Sequence, residues 1–336
     1  MPRTPDPLVD FATTHHGLIG RAQALEMGAS PGLVDARVRA GRLVVVHRGV
    51  YRVAGAPVTW TSRVLAACLA TGGVASHRSA ASLLDVRGVP NGRPEVTTAR
   101  RDQSTIPNLR LHRSRDLHKA NVIERHGIPT TDPARLAVDL GAVWPEQRVE
   151  GAIQDLVTRR LLSWDDVGVA VLRHSKRGRD GVGVARRIVD RRMQGLVGDS
   201  ILESVLLALL HDGGLPAPEL QVEIAVDGSF VARVDVAWPD RGVVVEADSV
   251  KWHLNEASFE ADKAKRNRLR LAGWLVHEVT WEMCMDHGAR IVSEIRAALD
   301  GRPPGSFRSF TPHPPPILGE LHVLGDGQSH PERGRG

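Results

Sequence analysis

The sequence predicts an α+β N-terminal winged helix-turn-helix, a middle α/β region and a C-terminal α/β domain whose mixed sheet is flanked by helices. Three observations carry this reading. Residues 8–55 form short helical patterns followed by a hairpin; residues 58–170 alternate helix signals with short β-like runs; residues 198–300 run helix, strand, strand, strand, helix, strand. A chain of 336 residues has room for about two domains of roughly 150 residues each. The expected division is 1–56, 57–172, a basic linker over 173–197, 198–302, and a tail over 303–336.

Each element has a local reason. A periodic stretch runs from Leu8 to about Thr14, and a second helix over Gly20–Met27 is broken by Gly28. Ser30 can accept the free amides of a third helix, and Pro31 sits where its missing N–H costs nothing. That helix stops at Gly41; Arg42–Val46 and Val50–Val53 then read as strands around a turn at His47–Gly49. In the middle region, helices are expected over Thr59–Ala70, Ser76–Leu84 and Glu146–Leu162, with β-like runs at Glu95–Thr98 and Leu109–His112. Thr131 or Asp132 before Pro133 starts a further helix with body Ala134–Leu140.

In the last block, Ser200 caps an apolar helix over Ile201–Leu210. Strands follow at 219–227, 229–238 and 242–249, the first two joined by a tight Asp227-Gly228 turn. A helix over 255–271 ends at Gly273; a strand over Trp274–Thr280 and a helix over 288–299 complete the block. The tail holds seven prolines and six glycines in 34 residues, which predicts disorder.

Composition narrows the function classes. Cys68 and Cys284 are far apart and form no CxxC pair, so neither a disulfide framework nor a structural zinc site is indicated. No apolar run approaches the ~18 residues of a membrane span and no signal-peptide pattern begins the chain, so a cytoplasmic, nucleoid-associated protein is expected. Lys+Arg 44 against Asp+Glu 39 gives +5, and all but five of those cations are arginines. Arginine's rigid fork suits phosphate and guanine, although biased codon usage accounts for the same count.

The third helix of a winged helix enters the major groove while the hairpin follows the backbone. Arg37 and Arg39 on that helix, with Arg42 and Arg48 on the hairpin, are the expected DNA contacts. The run over 173–192, with Lys176, Arg177 and Arg179 at its start, reads as a phosphate-tracking linker or as a solvated connector.

The carboxylates of the C-terminal block point to sharper chemistry. Residues two apart on a strand share a face, so Glu246 and Asp248 project together, and antiparallel pairing can bring Asp235 to the same point. Like charges at close range need a cation among them. Oxygen ligands suit Mg2+ or Mn2+, so Asp235 and Glu246 are the expected metal ligands. Glu203, a charge within an apolar helix, also needs a partner. The plainer alternative is a pair of half-buried ion pairs to Arg233 or Arg266.

Two resemblances add to this. Gly17-Leu-Ile-Gly, Ala24 to Ser30, and Gly41-Arg-Leu through His47-Arg-Gly-Val-Tyr51 resemble the winged-helix start of AbiEi-type antitoxins and regulators, as do Ser76-His-Arg-Ser-Ala-Ala and Gly127-Ile-Pro-Thr-Thr-Asp-Pro-Ala-Arg135. That resemblance spans roughly residues 8–165 and implies DNA binding without catalysis. Residues 198–282 are similar to the DUF559 group, related to very-short-patch-repair endonucleases with a PD-(D/E)XK, restriction-endonuclease-like core. The matching features are Arg233-Val-Asp235, Val245-Glu-Ala-Asp248, His253, Asp262, Arg266 and Gly273-Trp274.

The second resemblance implies that Asp235 and Glu246 bind metal, that Glu203 assists, and that Asp248 takes the place of the usual lysine. Ser249 departs from the group's common glycine, and the Glu-x-Lys lysine is absent. His253 can replace it as base or phosphate donor, with Lys251, Lys263 and Arg266 as further cations.

The resulting expectation is a metal-dependent DNA endonuclease in repair or defence, carried to DNA by the winged helix; cutting both strands from one site per chain would favour a homodimer. A non-catalytic, antitoxin-like DNA-binding regulator is the alternative.

Overall fold

The computed structural model describes residues 6–100, 106–176, 179–193, 198–226, 229–248 and 256–302. The expected turn at Asp227-Gly228 and the tail lie outside the described residues. Packing groups the chain into two units, the first built on the chain up to Ala217 with Ala247–Leu254 and Glu278–Arg296, the second on Pro218–Glu246, Asn255–His277 and the chain from Ala297.

The first unit begins with α1 (Pro7–Thr14), β1 (Leu18–Gly20), α2 (Arg21–Glu26), α3 (Pro31–Arg39), β2 (Leu43–His47) and β3 (Val50–Val53). The three strands pair in the order β1-β3-β2, both pairings antiparallel. This order of helices and strands is that of a winged helix. Ser30 caps α3 as expected, its hydroxyl accepting from the Leu33 N–H at 3.1 Å. Leu8, Ile19, Val34, Leu43 and Tyr51 close a small core beneath α3.

Next come α4 (Trp60–Thr71), β4 (Val74–Ala75), α5 (His77–Leu83), β5 (Glu95–Thr98), β6 (Arg110–Arg113), β7 (Val122–Arg125) and β8 (Ile128–Thr131). They build a sheet of order β6-β5-β4-β8-β7, mixed because β5–β6 and β4–β8 are parallel while β4–β5 and β7–β8 are antiparallel. Five helices follow: α6 (Pro133–Leu140), α7 (Glu146–Thr158), α8 (Trp164–His174), α9 (Val182–Met193) and α10 (Gly198–Asp212). Asp132 caps α6, accepting from the Arg135 N–H at 2.7 Å.

Several local expectations need correction. The helix expected to Leu162 ends at Thr158, because Ser163 starts a new helix by exchanging hydrogen bonds with Asp166. The basic segment 173–197 is not a linker throughout; α9 occupies Val182–Met193 and buries Ala185, Ile188 and Val189. Ser200 lies inside α10 and bonds Asp165 instead of capping. That helix packs on α8 within the first unit, where Gly168 admits Ile201 and Val205 close to the α8 backbone.

The second unit holds β9 (Glu219–Val226), β10 (Ser229–Trp238), β11 (Val243–Ala247), α11 (Glu256–Leu271) and β12 (Leu275–Val279), the strands ordered β12-β11-β10-β9. β9, β10 and β11 are antiparallel neighbours, and the Leu275 N–H bond to Gly242 attaches β12. Val222, Ile224, Val234, Val244, Leu269 and Trp274 form the core between sheet and α11. The last helix, α12 (Trp281–Asp300), starts earlier than residue 288 and carries a kink at His287.

Candidate functional site

The β10–β11 register pairs Val236 with Val245, which sets Asp235 opposite Glu246 on one face of the sheet. The two carboxyls share a hydrogen bond. Burial pushes Glu246 up to about 7, and the neighbouring Asp235 charge adds to that; Lys265 acts in the opposite direction. Lys265 Nζ lies 3.0 Å from one Glu246 carboxylate oxygen and donates to the other at 3.1 Å. Lys265, a residue not weighed as a partner in the sequence, therefore meets Glu246. Lys265 stands one helical turn before buried Leu269, so the i, i+4 spacing held the signal for its inward face.

Asp248 follows the end of β11 and is exposed, while Glu203 is half-buried on α10 in the first unit. His253 and the side chain of Asp262 lie outside the described residues. On α11, Lys263 is exposed and Arg266 half-buried.

On the winged helix, Arg39, Arg42 and Arg48 are exposed. Arg37 is instead committed to Asp6 at 2.9 Å, which ties α3 to the start of α1. Arg21 is likewise held by Asp35 at 2.8 Å. Leu33, Val44 and Val45 add exposed apolar surface to α3 and β2. The free charge on this face is concentrated at the end of α3 and on the hairpin.

The basic run is largely neutralised. Arg186 pairs with Asp286 at 2.8 Å, and Arg187 and Arg191 both clasp Glu146. Arg179 is nearly buried, bonded to Asp116, Asp139 and Ser114. Lys176 is exposed, and Arg177 lies outside the described residues. Sequence reading counted these charges without their partners.

A further cluster sits in the middle sheet and was not singled out as chemistry. His77, Glu95 and His112 come from α5, β5 and β6, and their ligand atoms lie within 4.8 Å of one another, a set that could hold a metal ion. The two imidazoles stack at 3.5 Å between centroids and 13° between planes. Such nitrogen-rich ligands suit zinc-like ions better than Mg2+. His77 Nδ1 bonds Ser76 Oγ at 2.9 Å, and burial lowers its pKa to about 4. Burial alone would raise Glu95, but hydrogen bonds from His112 and Arg78 and the Arg78 charge hold it at about 2. The Ser76-His-Arg-Ser79 motif was the only sequence signal for this place.

Beside it lies a second buried network. Arg135 Nε donates to Asp139 at 2.9 Å, and His174 Nδ1 meets Asp116 at 2.9 Å. Asp116 is held well below the ordinary carboxylate range: burial opposes this, but bonds from Ser114 and His174 and the charges of Arg179 and Arg135 prevail.

Among the described residues, no helix is long and apolar enough to cross a membrane. Two curated relatives are uncharacterized proteins of Mycobacterium tuberculosis, from strains CDC 1551 / Oshkosh and ATCC 25618 / H37Rv. Each is 29% identical over 173 residues, covering 51% of this chain and 61% of the relative. The chain thus spans about three fifths of the length of the curated relatives it matches. Residues 6–54, the winged-helix segment, match the family described as transcriptional regulator, AbiEi antitoxin.

Proposed function

We propose that this protein is an antitoxin-like, DNA-binding transcriptional regulator whose winged helix reads duplex DNA. The observation that carries this reading is the coincidence of the AbiEi match over residues 6–54 with a complete winged-helix order of elements. In this reading Arg39 at the end of α3 would meet the major groove, and Arg42 and Arg48 the flanking phosphates. Two copies on a palindromic site would give the symmetry such operators share. Fluorescence anisotropy with the protein's own promoter fragment tests it. Binding at least about tenfold tighter than to a scrambled duplex is expected; equal affinity for both, or none, refutes it.

The Asp235–Glu246 contact favours a second reading, a DNA endonuclease of the DUF559-like, restriction-endonuclease-like kind over residues 198–302. Two carboxyls brought together on a half-buried strand pair fit a divalent cation, since a cation removes their repulsion. Mg2+ or Mn2+ held by Asp235 and Glu246 would supply water activation and charge stabilisation. Lys265 would balance Glu246 and approach a bound phosphate, taking up the part of the absent Glu-x-Lys lysine; Lys263 and Arg266 would extend the positive surface. Metal-dependent nicking of supercoiled DNA that disappears in Glu246→Ala, with DNA binding kept, supports this reading. Intact DNA with both proteins at every metal concentration ends it.

A further inference from the structure

The first unit contains a cavity of about 1010 Å³ lined by β5, β6, α6 and the residues Lys176, Arg179 and Asp180. Its volume is at the upper end of small-molecule sites. Three of its surfaces differ in chemistry, and together they define what would fill it.

One surface is flat. The stacked His77 and His112 rings line the cavity and offer an aromatic platform. The backbone beneath is strained: His77 has φ of +49°, a left-handed conformation that a residue other than glycine seldom adopts. Strain of this kind persists where surrounding structure holds a side chain in place, and it clusters at ligand sites. The second surface is cationic. Arg93, Arg113, Arg115 and Lys176 line the cavity, and the side chains of Arg115 and Lys176 make no hydrogen bond or ion pair among the described residues.

The third surface is an acceptor in want of a donor. Asp139 is only 3% exposed and lines the same cavity. Its Oδ1 receives Arg135 and Arg179, each at 2.9 Å, while Oδ2 has no partner among the described residues. An unsatisfied buried carboxylate oxygen is costly, and a ligand N–H or O–H relieves it.

We infer that this cavity binds a nucleotide, with its base against the His77–His112 platform, a base or sugar donor directed to Asp139, and its phosphates on Arg113, Arg115 and Lys176. A simple inorganic anion would use the cationic rim alone and leave both the platform and the acceptor unserved. A neutral nucleoside would leave the rim unserved. The inference uses neither DNA reading nor the Asp235–Glu246 pair, so it holds whichever of those readings is correct.

Isothermal titration of the full chain with ATP, GTP, adenosine, guanosine and inorganic phosphate tests the inference. At least one triphosphate binds with Kd below about 100 μM, and its nucleoside and phosphate each bind at least about tenfold more weakly. Arg115→Ala and Lys176→Ala each weaken the nucleotide about tenfold and leave the melting temperature unchanged, because both side chains are exposed. His112→Phe retains tighter binding than His112→Ala, since it keeps a ring over His77. No triphosphate binding below about 1 mM overturns the inference. So does phosphate binding as tightly as ATP and GTP, or affinity indifferent to both rim substitutions.

Discussion

Replacing Glu246 by glutamine isolates the energetic consequence of packing that carboxyl beside Asp235. Glu246 rises from an ordinary 4.5 to about 7, with burial as the largest cause. A folded-state pKa above the unfolded one means that the folded protein holds the proton more tightly. The stabilisation is complete below pH 4.5 and is lost as pH rises through 7. At about 1.4 kcal/mol per pH unit, the full loss is roughly 3 kcal/mol. Water reaching the partly exposed pair and the Lys265 contact bring the expected effect nearer to about 1–2 kcal/mol. Glutamine keeps the shape and removes the titration. Urea unfolding monitored by tryptophan fluorescence between pH 5 and pH 9 reads the difference. The native chain should lose stability between pH 5 and pH 7 relative to Glu246→Gln and change little further above that range, and added Mg2+ should restore it in the native chain alone. A variant whose pH profile parallels the native one would refute the account of Glu246 as a carboxyl held protonated by burial.

Three other perturbations follow from the same structure. Arg42→Ala and Arg48→Ala should each lower DNA affinity about five- to tenfold and reduce the slope of log affinity against log salt by about one, whereas an unchanged slope would remove these residues from the phosphate contacts. Gly141→Ala would drive its Cβ into the Gly181 carbonyl oxygen, forcing α6 away from the start of α9; about 1–3 kcal/mol of destabilisation is expected in thermal melts, and an unchanged Tm would contradict that approach. His77 lies at about 4, below its ordinary 6.5, mainly through burial, so its share of stability is present above pH 6.5 and is lost as pH falls toward 4. That share is at most about 3 kcal/mol; an acid-unfolding curve unaltered by His77→Gln would show that the ring is not buried neutral.

Where signals are local, the chain was legible. Ser30-Pro31 and Asp132-Pro133 start helices because a cap and a proline act on the same turn, and β9 and β10 fall on runs of β-favouring residues while β11 begins with three buried valines. The Asp235–Glu246 meeting was also legible, since strand parity decides which face each acid takes. α9 was hidden because arginines at 186, 187, 191 and 192 mask the apolar spacing of Ala185, Ile188 and Val189. Their charges are tolerable only because Glu146, Glu150 and Asp286 come from distant sequence. His77, Glu95 and His112 have no diagnostic spacing either; the β6-β5-β4 order alone assembles them.

The winged helix is not an independent bead ahead of residue 57. Leu18 of β1 and Val50 of β3 share one apolar cluster with Val64 and Leu65 of α4, Val96 of β5 and Ile128 of β8. His16 Nε2 also donates to the His126 carbonyl at 2.7 Å, across the same junction. Cutting at the expected boundary would strip those side chains of their partners, so the DNA-reading helix is carried on the middle sheet as part of its core. β5 makes the consequence concrete. Val96 faces the shared core, while Glu95 and Thr97, on the alternate parity, belong to the histidine cluster and the cavity. A ligand that shifted β5 would act on residues packed directly against the wing strands. The coupling would be limited to the ligand's preference between the two positions of that strand.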